Sequence, residues 1–213
     1  MDDEKRRLFS KLKAQISDEH VLWAMEQIPR ERFISNENQR LAYEDIALPI
    51  GESQTISQPL IVAMMTSALA LRGSERVLEV GTGSGYQAAV LSLLVPRGKV
   101  ITVERVPSLA KKAADVLLSL GCLNVEAFPV GSVLGCPKES PFDAVIVTAA
   151  SPRLPSSLLD QLEIGGRMVI PVGSLLDQNL VRAVRTSEGI SLNEMGRCRF
   201  VPLIGEEAWP AER

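Results

Sequence analysis

One histidine, His20, serves the whole chain, and it lies in a stretch of helical spacing far from every motif discussed below. A hydrolase that relies on a histidine base would have to use it, which counts against that class. Cysteine is scarce and odd in number. Cys122, Cys136 and Cys198 lack metal-ligand spacing, so no metal site is expected, and they read as reduced, partly buried thiols of a cytoplasmic protein. No hydrophobic run approaches the roughly 18 residues that span a bilayer, so no membrane partner is expected. The charged start Met1-Asp2-Asp3-Glu4-Lys5-Arg6-Arg7 leads into no apolar stretch of the kind a secretory signal needs. A basic excess is also missing: 23 Lys and Arg against 26 Asp and Glu leave a net charge of −3. Nucleic acid is not expected as a partner, because phosphate binding needs a basic face.

The remaining composition is that of a globular protein. Hydrophobic residues make up 46% and charged residues 23% of 213 positions, enough for one domain with a substantial core. Residues 1–56 read as a helical and looped extension, and 57–213 as the core. Spacing predicts helices over 3–16 and 18–28, the second capped near Ser17-Asp18 and stopped by Pro29. Residues 33–56 show neither period and predict an extended, looped crossing. Helical spacing returns over 58–71. Strands and helices then alternate: strand 76–80, helix 85–95, strand 100–104, helix 107–120, strands 124–128 and 143–148, and a short helix from Pro155 to Leu162. Strands 167–172, 179–185 and 198–203 close the chain, with Gly165-Gly166 and Glu188-Gly189 as turns. That order predicts an α/β, doubly wound Rossmann-like sheet, mostly parallel, with helices on both faces and an antiparallel C-terminal part.

Within it, Val77-Leu-Glu-Val-Gly-Thr-Gly-Ser-Gly85 is a strand running into a glycine-rich turn and a helix. Gly81, Thr82, Gly83 and Gly85 let main-chain amides approach a ligand, and the helix N-terminus favours negative charge. Glu104, at the end of the next strand, is placed to accept both hydroxyls of a ribose. The spacing is Gly-x-Gly-x-Gly, and Glu79 precedes the first glycine by two residues. An acid there repels a pyrophosphate and attracts a cationic amine. S-adenosylmethionine carries such an amine, a ribose and no phosphate; a nicotinamide dinucleotide is the competing cofactor. A second motif, Gln54-Thr-Ile-Ser-Gln-Pro59, runs into a helix. Ser57 suits the N-cap there, and a helix N-terminus with nearby hydroxyls also suits a carboxylate.

On these residues the chain resembles the protein-L-isoaspartate O-methyltransferases. Further matches are Pro29-Arg-Glu-Arg-Phe33, Ala42-Tyr-Glu-Asp45, Leu48-Pro-Ile-Gly51, Val103-Glu-Arg105, Pro141-Phe-Asp-Ala144, Val147-Thr-Ala-Ala150 and Arg199-Phe-Val-Pro-Leu203. The resemblance implies methyl transfer from S-adenosylmethionine to the free carboxylate of an L-isoaspartyl residue in a damaged protein or peptide. The ester then cyclises to a succinimide, and its hydrolysis returns some chains to aspartate. It places Ser57 and Thr55 at the acceptor carboxylate and Glu79, Gly81, Gly83 and Glu104 at the cofactor. The chemistry suits a chain poor in histidine, because an α-carboxylate with a pKa of about 3.3–3.7 is already ionised at neutral pH.

Two positions depart from the family. Val130-Gly131-Ser132 stands where the family has Gly-Asp-Gly, so Gly131 replaces an acid that reaches adenine, and a Ser132 hydroxyl or main-chain group is left for that contact. Ser53 replaces a common glycine. Two alternatives accordingly stand beside the repair reading: a methyltransferase of this fold acting on another carboxylate or small molecule, and a cofactor-binding module without turnover.

Overall fold

A computed structural model describes residues 2–210. Two helices begin the chain, α1 (Asp2–Lys13) and α2 (Glu19–Gln27). The cap of α2 is Asp18, whose Oδ1 accepts from the Val21 amide at 3.1 Å. Pro29 follows, and 3-10 turns at Arg30–Phe33 and Asn36–Leu41 carry the chain onward.

The segment expected to be looped holds a hairpin instead, β1 (Leu48–Gly51) paired antiparallel with β2 (Gln54–Ile56). Its turn residues Glu52 and Ser53 both have positive φ, 52° and 55°. Such turns usually announce themselves by Asn-Gly or Asp-Gly, and Glu-Ser carries no such signal.

After α3 (Pro59–Ala68) come β3 (Arg76–Val80), α4 (Tyr86–Leu94), β4 (Lys99–Glu104), α5 (Pro107–Ser119), β5 (Val125–Pro129), β6 (Phe142–Val147), α6 (Ser156–Leu159), β7 (Leu162–Gly173), β8 (Gln178–Thr186) and β9 (Gly189–Cys198). The large sheet has the order β5-β4-β3-β6-β7-β8-β9. Its pairs are parallel from β5 to β7 and antiparallel from β7 to β9. The expected α/β class therefore holds. The last strand is a correction: it runs over 189–198, not 198–203. Almost every β9 residue is exposed at the sheet edge, so little burial pattern marks it, and the apolar Phe200–Leu203 stretch drew the expectation forward. The helix expected over 155–162 is a single turn.

Alternate residues of the central strands belong to two cores. Val77, Val100, Ala144, Ile146 and Val169 join side chains of α1 to α5. Leu78, Ile101, Val145, Met168 and Ile170 pack with Leu134, Leu158 and Leu203. The expectation of helices on both faces is met unevenly: α6 and irregular segments cover the second face. From β3 the chain winds outward through β4 and β5, then returns to β6 on the other side. A crevice is expected at the carboxyl ends of the strands at such a reversal.

Candidate active site

The crevice is there, a cavity of about 630 Å³. Its walls come from the hairpin, the glycine turn, the ends of β3, β4 and β6, and the C-terminal residues 201–204, 209 and 210. Thr55, Ser57, Glu79, Gly81, Thr82, Gly83 and Glu104, all expected from the sequence, meet in it.

Main-chain geometry explains the glycine turn. Gly81 has φ 99°, and a Cβ there would run into Thr148 Oγ1. That hydroxyl donates to the Gly81 carbonyl at 2.6 Å, fixing the turn to the end of β6. The Gly81 amide donates to the Val103 carbonyl at 2.9 Å. Gly85, expected at the cofactor, lies between Ser84 and Tyr86, which both line the cavity. It has φ 89°, and a Cβ there would lie 3.2 Å from Ala113 Cβ, so glycine at this position also permits the close approach of α4 to α5.

Glu104 has both oxygens held by amides: Oε2 by Gly83 at 2.8 Å and Oε1 by Val106 at 2.8 Å. A pairing with Arg105 or Lys111 would have made it an ordinary surface acid; the amides instead aim it along the turn. Glu79 is fully buried. Its Oε2 accepts from Thr102, whose hydroxyl also meets Thr82 Oγ1 at 2.6 Å. Glu79 Oε1 has no hydrogen-bond partner among the described residues. Burial pushes the Glu79 carboxyl up to about 8, the Glu104 charge adds to the rise, and the Thr102 hydrogen bond opposes it. A buried carboxyl with an orphaned oxygen fits a cationic group brought by a ligand, and Glu104 retains lone pairs for a diol. The residues present therefore fit S-adenosylmethionine.

Gly131 and Ser132 line a second cavity of about 650 Å³, which shares Thr82, Glu104, Arg105, Val130, Leu134 and Ile204 with the first. A Cβ at Gly131 would meet nothing within 4 Å.

Ser57 does not cap α3, although the sequence makes it the natural cap. The N-cap is Gln58, whose side chain makes no capping hydrogen bond to the helix. Asp45 caps from afar, its Oδ1 accepting from the Leu60 amide at 2.8 Å and its Oδ2 from Gln58 Nε2 at 2.9 Å. The hydroxyls of Ser57 and Thr55 are left without hydrogen-bond partners among the described residues. Other wall residues were not among those expected at the site: Tyr86, Thr148, Leu175, Ile204 and Trp209. The Val147-Thr148 and Phe200–Leu203 matches were the signals that could have found two of these regions.

A family profile described as Protein-L-isoaspartate(D-aspartate) O-methyltransferase (PCMT) matches residues 3–208. The chain is 52% identical over 198 residues to a protein-L-isoaspartate O-methyltransferase of Syntrophotalea carbinolica, covering 92% of this chain and 90% of the relative. It is 53% identical over 196 residues to protein-L-isoaspartate O-methyltransferase 2 of Pelobacter propionicus, covering 91% and 86%. A solved protein-L-isoaspartate O-methyltransferase superposes with a TM-score of 0.87 at 31% identity, over 96% of this chain and 67% of that one. The β-aspartate methyltransferase of Plasmodium falciparum, solved with S-adenosyl-L-homocysteine, superposes with a TM-score of 0.81 at 26% identity, over 92% and 96%.

Sheet, glycine turn and acidic pair together define a Rossmann-like methyltransferase that uses S-adenosylmethionine. Relatives about half identical over nine-tenths of the chain narrow the class. The chain belongs to the protein-L-isoaspartate(D-aspartate) O-methyltransferase family.

Proposed function

We propose that this protein transfers a methyl group from S-adenosylmethionine to the free carboxylate of L-isoaspartyl residues in damaged proteins and peptides. The observation that carries the reading is the free Ser57 hydroxyl, relieved of capping by Asp45 and placed with Thr55 in the wall of the cavity that also holds Glu79 and Glu104. When bound, the cofactor supplies an electrophilic methyl group on a sulfonium. Thr55 and Ser57 donate hydrogen bonds to the acceptor carboxylate and orient one oxygen for in-line attack. Glu79 would hold the cofactor's cationic amine and Glu104 its ribose hydroxyls, while Gly81, Thr82 and Gly83 would allow close main-chain approach. No general base is needed, because the nucleophile is already an anion. Orientation is the main catalytic contribution, and it can supply several kcal/mol.

Gly131 and Ser132 are assigned to the adenine end of the cofactor, in the second cavity. The three free cysteines fit a reducing compartment, so the cytoplasm is the proposed location. Among the described residues no helix is long and apolar enough to cross a membrane.

The test is the initial rate of methyl transfer to two peptides that differ only in an L-isoaspartyl or L-aspartyl linkage. Transfer to the isoaspartyl peptide alone, as a base-labile ester, is the expected result. Transfer to neither peptide, with the cofactor still bound, would favour the binding-module reading.

A further inference from the structure

Arg30 is 1% exposed and is the largest fully buried side chain. Buried charges are normally paired, because desolvating an isolated one costs several kcal/mol. No carboxylate among the described residues forms an ion pair with Arg30. Three main-chain carbonyls from two stretches, 42–46 and Ser57, accept its hydrogen bonds instead. Nε donates to Ala42 at 2.9 Å, Nη2 to Ile46 at 3.2 Å and Nη1 to Ser57 at 3.0 Å. The guanidinium carbon also lies 5.3 Å from the ring centroid of Tyr86, a residue of the cavity wall.

This arrangement uses what distinguishes Arg from other donors. Its planar fork offers five N–H groups in fixed directions, whereas Lys is a point charge on a flexible stem. The carbonyls of Ala42 and Ile46 anchor one side of the fork, and the third carbonyl belongs to the residue whose hydroxyl is free in the cavity. Asp45, between the two anchors in sequence, holds Gln58 and the Leu60 amide. The chain is thus held at the Ser57 carbonyl by Arg30 and, three residues on, at the Leu60 amide by Asp45. Arg30 itself lines neither cavity.

We propose that Arg30 is a positioning residue for methyl transfer: its guanidinium, with Asp45 holding the start of α3, fixes the main chain of Ser57 so that the hydroxyl meets the acceptor carboxylate. The inference rests on the reading of Ser57 as a carboxylate-holding residue. A side chain that acts only through Ser57 affects turnover far more than cofactor affinity. Its effect also disappears once the Ser57 hydroxyl is gone.

The experiment is a double-mutant cycle of Arg30→Lys and Ser57→Ala. Each protein is measured for kcat and KM with an isoaspartyl peptide, and for cofactor Kd by calorimetry. Arg30→Lys keeps the charge but loses the fork. It is expected to lower kcat about tenfold to hundredfold, the scale of a small misplacement of a catalytic group, and to leave cofactor Kd within about twofold. In the Ser57→Ala background the same change is expected to cost less than about twofold, since residues acting as a unit are non-additive. Losses that multiply in the double variant would overturn the proposal, as would an unchanged kcat in Arg30→Lys. If Ser57→Ala turns over like wild type, the reading of Ser57 fails and this inference fails with it. If Ser57→Ala is impaired and Arg30→Lys is not, the inference alone fails. Should Arg30→Lys not fold, Asp45→Ala takes its place in the same cycle, with coupling expected and multiplying losses again decisive against the proposal.

Discussion

Asp45 Oδ1 accepts a hydrogen bond from the amide of Leu60 at 2.8 Å, so the N-terminus of α3 is capped by a side chain 15 positions upstream. A local cap would have used the hydroxyl of Ser57. Moving the duty to Asp45 leaves that hydroxyl available to a ligand. Asp45→Ala should therefore destabilise the protein by about 1–2 kcal/mol, the usual cost of a lost cap. Ser57→Ala should change stability by less than about 0.5 kcal/mol while sharply reducing methyl transfer. Urea unfolding beside initial rates checks both. A large stability loss in Ser57→Ala with transfer intact would contradict the assignment.

Glu79 predicts a pH dependence with a definite sign. Burial raises its pKa to about 8 in the folded protein, against about 4.3 for an ordinary glutamate. Between those values the folded state holds a proton that the unfolded state has released, so this group's contribution to stability falls as pH rises. It is fully present below about pH 4.3 and is lost progressively up to about pH 8. Thermal unfolding of the cofactor-free protein should show this decline, and Glu79→Gln should flatten it. A cationic cofactor favours the ionised carboxyl, so binding should release a proton and tighten as pH approaches 8. Calorimetry in two buffers of different ionisation heat measures the released proton directly.

Ser53 sits at φ 55° in the hairpin turn, a conformation that costs an L-residue roughly 1–2 kcal/mol relative to glycine. Ser53→Gly should relieve part of this and raise stability by roughly 0.5–1 kcal/mol, after the entropy that glycine adds to the unfolded chain. A rise in melting temperature at unchanged cofactor Kd is the expected readout.

Gly131→Asp restores the acid that the family places in this turn. A Cβ at Gly131 has nothing within 4 Å, so the variant should fold normally. If adenine occupies the second cavity, the new hydrogen bond to a charged group should tighten cofactor binding by about 1.5–3 kcal/mol. An unchanged Kd would place adenine elsewhere.

Glu104→Ala should weaken cofactor binding and also loosen the glycine turn, because Glu104 holds the amides of Gly83 and Val106. Glu104→Gln keeps an acceptor for one of those amides and should bind more tightly than the alanine variant. Equal affinities in the two would argue against a role for its carboxylate at the ribose.

Much of this was legible in the residues themselves. The strand over 76–80 and the strands and helices that follow it, up to residue 147, have expected boundaries within two residues of those observed, and all but β5 carry strong burial patterns. The hairpin at 48–56 escaped because Glu52 and Ser53 are unusual occupants of a left-handed turn. Strand β9 escaped because it is an exposed edge with little burial to pattern it. Within the site, Glu79 was foreseen as an acid near a cationic ligand. Its complete burial and its chain of hydrogen bonds to Thr102 and Thr82 depend on which strands are neighbours.

The sequence by itself determined the parallel sheet, the glycine turn and the acids at the ends of β3 and β4, since these depend on periodicity and on contacts a few residues apart. Tertiary structure alone decided that Asp45 caps α3, that Arg30 grips the Ser57 carbonyl and that Gly85 lies against α5. Those outcomes depend on groups far apart in the chain competing for the same hydrogen bonds and the same space, which only the folded arrangement resolves.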